Sequence, residues 1–160
     1  GVSVRFRAMK PSDEEMMRRF FYRCSKEMIF YRFFYSVKTM DHDKMQAYVN
    51  LDYHKEFSIV GLYEENGNQK IIAEARMVRE ERTYCGEVAF LIDERFQGIG
   101  VGSYLLSRLI EQAKELGFKG IIAQVLADNQ PMIKVFEKSG LPMESSLNSG
   151  IYYVKLNFSG

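Results

Sequence analysis

The stretch Arg95-Phe96-Gln97-Gly98-Ile99-Gly100-Val101-Gly102 constrains this chain more than any other, because it sets three alternating glycines between a strand-like run and a helix-like one. Glycine removes the side chain where backbone amides must come close to something. In the residues that follow, Gly100 to Leu116, the positions Val101, Leu105, Leu109, Ala113 and Leu116 trace one helical face, and Gly117 supplies the stop. A helix start exposes amides without intrahelical acceptors at the positive end of its dipole, so the junction is a ready anion site, and a pyrophosphate fits it. A flexible turn before a helix is the plain alternative.

Around that junction the hydrophobic period changes along the chain. Val2 to Phe6 alternates as a first strand, and Ser12 with Glu15 forms a capping-box signature after Pro11 that predicts a helix from Asp13 to Cys24. Two more helices are predicted, from Lys26 to Phe34 and from Asp41 to Val49. Strands are predicted at Phe57 to Tyr63, Ile71 to Val78 and Tyr84 to Ile92, the first two joined by the turn Glu65-Asn66-Gly67-Asn68; three strands linked this closely pair antiparallel. Ile121 to Leu126 reads as a buried strand, and the helix before it makes it parallel to the preceding strand. A helix from Gln130 to Ser139 ends at Gly140 and Pro142, and two strands, Met143 to Leu147 and Ile151 to Phe158, close the chain around Asn148-Ser149-Gly150. The fold class is α/β (α+β), a mixed, mostly antiparallel sheet flanked by helices.

A chain of 160 residues has room for one sizeable core and is expected to be a single domain over 1–160. It opens at Gly1 rather than Met, which raises the expectation of a piece from a longer chain with another domain. Lys and Arg number 22 against 21 Asp and Glu, so no global field holds a nucleic acid or an anionic membrane, and any anion must be bound locally. The interleaved aromatics and arginines from Arg18 to Arg23 and Tyr31 to Tyr35 offer stacking surfaces, but Met17, Phe20, Phe21 and Cys24 fall at helical spacing, which favours aromatics packed inward with arginines outside. Cys24 and Cys85 lack the paired spacing of a zinc site or a disulfide framework, and His42 and His54 have no companion ligands and are expected in loops, so no metal is expected. Neither a membrane-length apolar run nor a signal sequence is present, and the expected location is the cytoplasm.

Three nucleotide-binding loops compete for the glycine stretch. A P-loop needs Gly-Lys-Ser or Gly-Lys-Thr, whereas Gly102 is followed by Ser103 and Tyr104. A dinucleotide fingerprint follows the first strand of a parallel sheet, whereas this loop follows three antiparallel strands and has its third glycine one position early. The Gln/Arg-x-x-Gly-x-Gly/Ala pattern of the GNAT superfamily of N-acetyltransferases is filled by Gln97, Gly100 and Gly102, and the whole order of elements resembles that fold.

The resemblance implies acetyl-CoA as cosubstrate. Its pantetheine arm would bond the backbone of Phe90, Leu91 and Ile92 in the gap of a central splayed parallel pair, and its pyrophosphate would rest on Gly98, Ile99, Gly100, Val101, Gly102 and Ser103. Asn129 matches the family asparagine that contacts the cofactor, beside its plain reading as an N-cap. Glu87, in Gly86-Glu87-Val88-Ala89-Phe90, resembles the glutamate general base of histone-acetyltransferase members, and alternation is expected to put Glu87, Ala89 and Leu91 on one face. An oxyanion donor near the Leu91 amide is a family implication. Phe136, counted among the cofactor contacts, stands where many members carry a tyrosine acid, and phenylalanine donates no proton. Lys134 and Lys138 are taken as solvated, and Cys85, a candidate for an acetylated thiol route, as structural.

Arg19-Phe20-Phe21-Tyr22-Arg23, Tyr31-Arg32-Phe33-Phe34, Val37-Lys38, Gly86 to Phe90 and Leu126-Ala127-Asp128-Asn129 resemble the Pat-type bacterial protein lysine acetyltransferases. That resemblance implies a protein partner with an acceptor lysine, commonly an acyl-CoA synthetase, attacked directly in a ternary complex. The first helices would form one wall of its groove, with Tyr31, Phe33 and Tyr35 contributing. Acetylation of a small amine and an acyl-CoA-sensing domain with little catalysis are the alternatives.

Overall fold

A computed structural model describes residues 3–34, 39–52 and 55–158. The chain divides into two compact units, Gly1–Arg76 with Phe90–Phe96, and Met77–Ala89 with Gln97–Gly160. Its strands are β1 (Arg5–Ala8), β2 (Glu56–Glu65), β3 (Asn68–Glu80), β4 (Cys85–Ile92), β5 (Gly120–Leu126), β6 (Met143–Asn148) and β7 (Ile151–Asn157), hydrogen-bonded in the order β1-β2-β3-β4-β5-β7-β6. The helices are α1 (Glu14–Arg23), α2 (Lys26–Phe33), α3 (His42–Val49), α4 (Val101–Glu115) and α5 (Gln130–Glu137). Among the described residues no helix is long and apolar enough to cross a membrane.

In the first unit β1 runs antiparallel to β2, with Arg5 opposite Leu62 and Ala8 opposite Ile59. Its ladder partner therefore sets the strand at Arg5–Ala8, later than the Val2 to Phe6 expected from alternation. β2 returns into β3 through Asn66 (φ 52°) and Gly67 (φ 81°), a two-residue turn in the left-handed region that brings the strands back antiparallel. Met17, Phe20 and Phe21 of α1 join Met28, Ile29, Met45, Val49, Val60, Leu62, Ile71 and Leu91 in one apolar cluster. Arg18 and Arg19 pair outside with Glu14 and Glu15, so the inward-packed reading holds for Met17, Phe20 and Phe21, while Tyr22 is exposed.

The expected cap of the first helix differs. Pro11–Asp13 forms a 3-10 turn and Asp13, not Ser12, stands at the N-cap of α1; its carboxylate makes no cap bond to that helix and instead accepts from the Lys10 amide (2.9 Å) and from Arg7 (2.7 Å). Ser25 caps α2 by accepting from the Met28 amide, and Asp41 caps α3 by accepting from the Lys44 amide. His42 is the first residue of α3 rather than a loop residue, and its Nδ1 meets the Glu14 carboxylate. His54 lies outside the described residues.

In the second unit β4 starts at Cys85 rather than Tyr84, because Tyr84 sits at φ 58° and breaks the extended backbone. β5 is parallel to β4, with Gly86 on Ile121 and Glu87 on Ile122, and antiparallel to β7 from Gly120 to Leu126. Val101, Leu105, Leu109 and Ala113 of α4 are buried as the periodicity requires, whereas Leu116, past the last turn, is exposed.

Candidate functional site

The head of α4 is the most specialised backbone in the second unit. Gly98 (φ 77°) and Gly100 (φ 94°) both sit in the left-handed region, where a side chain is strained, and Gly100 is the N-cap. Gln97, Gly98, Ile99 and Gly100 are exposed, Val101 and Gly102 are buried, and Ser103 is exposed. The first helical hydrogen bond runs from the Tyr104 amide to the Gly100 carbonyl (3.0 Å), so the amides of Val101, Gly102 and Ser103 precede any intrahelical acceptor. No acidic residue lies in the first turn to offset the positive dipole end, although such a residue is the usual stabiliser there. The arrangement favours an anion supplied from outside.

Glu87 is half-buried on β4, and among the described residues its carboxylate has no hydrogen-bond or ion-pair partner. Gly86 beside it has no room for a side chain, because an added methyl would run into Met77. Sequence reasoning used Gly86 only as part of a motif, and its steric role has no local sequence signal. From Gly86 to Ala89 burial alternates with Glu87 and Ala89 on the less buried face, but the alternation breaks at Phe90. Leu91 is only 3% exposed and belongs to the apolar cluster of the first unit. Glu87 and Ala89 are thus less covered than Leu91, which the apolar cluster of the first unit buries. Phe90 is half-buried and Ile92 buried.

Asn129 is the N-cap of α5, but its side chain makes no cap bond, so the plain capping role is not realised. The neighbouring Gln130 side chain donates instead to the Ala127 carbonyl (2.7 Å). Phe136 is 1% exposed and lies with Ile133 on the buried face of α5, while Lys134 and Lys138 are exposed. Cys85 is fully buried and its thiol donates to the Thr83 carbonyl (3.5 Å), a structural environment.

In the first unit Tyr31 and Phe33 are half-buried on α2, and Tyr35 lies outside the described residues. An open cleft of about 430 Å³ is lined by Cys24, Ser25, Met28, Asp93, Glu94 and Arg95, among others. The Ser25 hydroxyl donates to Glu94 across it (2.7 Å). Burial, and secondarily the Asp93 carboxylate, pushes the Cys24 thiol up to about 12. Sequence reasoning missed this cleft, because its walls come from segments about 45 and 70 residues apart in the chain (Cys24, Lys70, Asp93).

A family model described as the acetyltransferase (GNAT) family matches residues 17–141. Acetyltransferase Pat of Mycolicibacterium smegmatis is 35% identical over 111 residues, which are 69% of this chain and 33% of that protein. The chain therefore spans about a third of that curated relative's length. The crystal structure of the GNAT domain of S. lividans PAT superposes with a TM-score of 0.83 at 27% identity, covering 97% of this chain and 90% of that one. The structure of yncA from Salmonella typhimurium with its cofactor acetyl-CoA shares the fold, with a TM-score of 0.74 at 19% identity over 96% of this chain and 93% of that one.

Proposed function

The chain belongs to the acetyltransferase (GNAT) family, and from that premise we propose that it transfers the acetyl group of acetyl-CoA to a lysine amine of a protein substrate by direct attack in a ternary complex. The observation that carries this reading is the head of α4, where three amides without intrahelical acceptors meet a dipole end that no acidic side chain offsets. Those amides, with Gly98, Ile99 and Gly100, hold the diphosphate of coenzyme A, and Gln97 leads into them. Phe90, Leu91 and Ile92 offer their backbone to the pantetheine arm, and Asn129, whose side chain is not spent on a cap, contacts the cofactor. Phe136, on the buried face of α5, supports that contact by packing.

A lysine amine with a pKa near 10.4 is protonated at neutral pH, and stripping its proton costs roughly 4–5 kcal/mol unless a base accepts it. Glu87 is that base. Its carboxylate has no competing partner among the described residues, so nothing must be broken before it accepts the proton, directly or through one water. The amine then attacks the thioester carbonyl, the carbon–sulfur bond breaks as the acetyl group passes to nitrogen, and the second proton shed by that nitrogen goes to the departing CoA thiolate or to water. With a free-thiol pKa near 8.5 that thiolate is a good leaving group, which fits a site whose Phe136 donates no proton.

The similarity to Pat supports a protein acceptor, of which a metabolic acyl-CoA enzyme is the proposed kind, and α2 with Tyr31, Phe33 and Tyr35 is the proposed acceptor wall. Incubation with labelled acetyl-CoA and a lysate of the source organism tests the reading. Label in protein, removed by Glu87→Gln, is the expected result. Label only in small amines would replace the acceptor class, and binding of acetyl-CoA without any transfer would leave a sensor.

A further inference from the structure

β3 carries two charges into an otherwise apolar run. Ile71, Ile72, Ala73, Ala75 and Met77 are buried, and between them Glu74 is fully buried and Arg76 only 7% exposed. A buried carboxylate is tolerable only when its lone pairs are filled. Glu74 accepts from the Tyr48 hydroxyl of α3 (2.7 Å), from the Ser58 hydroxyl of β2 (2.7 Å) and from Nε of Arg76 (2.9 Å). Arg76 in turn donates to the Tyr48 carbonyl (2.7 Å), and its guanidinium lies 3.8 Å from the centre of the Tyr48 ring. From α2, Arg32 donates to the Tyr48 hydroxyl oxygen (3.0 Å) while stacking on Phe33 at 4.5 Å.

The bonds run in one direction, guanidinium to phenol to carboxylate. Burial by itself would raise the Glu74 carboxyl, but Arg76 and Arg32 with the two hydroxyl donors outweigh it and hold the group below the ordinary carboxylate value. Burial, followed by the Glu74 charge, pushes the Tyr48 phenol up. The phenol therefore stays a neutral donor and the carboxylate an ionised acceptor, so the array is a fixed strut and not a proton relay.

The strut matters because of where α2 is held. Its buried residues, Met28 and Ile29, lie in its first half, whereas Tyr31, Arg32 and Phe33 are half-buried. Apolar contact is non-directional and leaves a short helix free to rotate slightly, whereas a hydrogen bond to a buried, charge-anchored phenol fixes its azimuth. We propose that Arg32, acting through Tyr48 and Glu74, is the positioning residue that orients the aromatic turn Tyr31–Phe33 of α2 toward the acceptor. The inference rests on the reading of α2 as one wall of the acceptor groove.

Two conservative variants test it. Tyr48→Phe removes only the hydroxyl and keeps the ring under Arg76, and Arg32→Met keeps length without the donor; Arg32→Lys is the rescue. Amide hydrogen exchange is measured across α1 and α2, and steady-state rates are measured with poly-L-lysine as the acceptor probe. Loss of the Arg32–Tyr48 hydrogen bond, common to both variants although Tyr48→Phe also removes the bond to Glu74, predicts up to about tenfold faster exchange at residues 31–33 and about a tenfold rise in KM for poly-L-lysine, with kcat and the KM for acetyl-CoA within about twofold of the parent. Exchange across α1 stays unchanged, and Arg32→Lys restores most of the acceptor KM. Unaltered exchange in α2 overturns the proposal, as does a uniform loss in kcat and both KM values, which marks general loosening. If the parent protein leaves poly-L-lysine unlabelled, the protein-lysine reading falls by itself, and the exchange at α2 still decides the strut.

Discussion

At the residue scale the candidate chemistry depends on one carboxylate and one glycine. Replacing Glu87 by Gln keeps its size and removes its basicity, so kcat is expected to fall by about 10²–10⁴ while calorimetric binding of acetyl-CoA is unchanged. Gly100→Asp separates folding from binding. Aspartate is strained at φ 94° but is one of the few residues that enter the left-handed region at all, so the helix still forms, and its charge occupies the ground proposed for the diphosphate. The variant should melt within a few degrees of the parent and give no heat with acetyl-CoA. Both candidates rest on local sequence signals, a glycine pattern at a strand-to-helix junction and a glutamate within an apolar strand, and the structure keeps those local settings, a left-handed glycine at the head of α4 and a half-buried Glu87 on β4. The burial of Leu91 had no such signal, because it comes from a tertiary cluster that no neighbouring residue announces.

At the element scale the edges of β3 and β5 are set by contacts the sequence does not display. Gly120 opens β5 where an added methyl would meet the Leu156 carbonyl of β7, a backbone atom that cannot turn aside. Gly120→Ala is therefore expected to cost about 1–3 kcal/mol in urea denaturation, as overpacking usually does. Glu74 is the clearest omission of the sequence reading, which took Ile71 to Val78 as a plain strand; a charge at alternate positions of such a run looks solvated until the helices covering it are known. Its depressed pKa has a definite sign. Ionised Glu74 contributes stability that is present above the ordinary carboxylate pKa and lost as pH falls through that range toward the lower folded value. In Glu74→Gln this dependence disappears, so the denaturation midpoint of the parent should drop more steeply between neutral and acid pH than that of the variant. At neutral pH the variant should be less stable by about 3 kcal/mol, because the buried Arg76 loses its closest carboxylate and keeps only the longer, half-exposed pair with Glu56 at 3.6 Å.

At the scale of the whole molecule, the order of the seven strands and five helices among the described residues was legible from period changes and turn residues, since each depends on short-range pattern, while β1 lies later than expected and β4 starts one residue later because the partner strand and the backbone at Tyr84 decide them. A ligand that binds only the folded chain stabilises it by mass action. Acetyl-CoA at about a hundred times its Kd should add about 2.7 kcal/mol, visible as a rise of several degrees in Tm that Gly100→Asp lacks. The two thiols set the conditions for measuring turnover. Cys85 is sealed from solvent, and Cys24, pushed up to about 12 by burial, stays the protonated thiol near pH 8. Disulfide-exchange dyes such as Ellman's reagent attack thiolates, so in this protein their colour reports the coenzyme set free in each catalytic cycle against a nearly silent protein background.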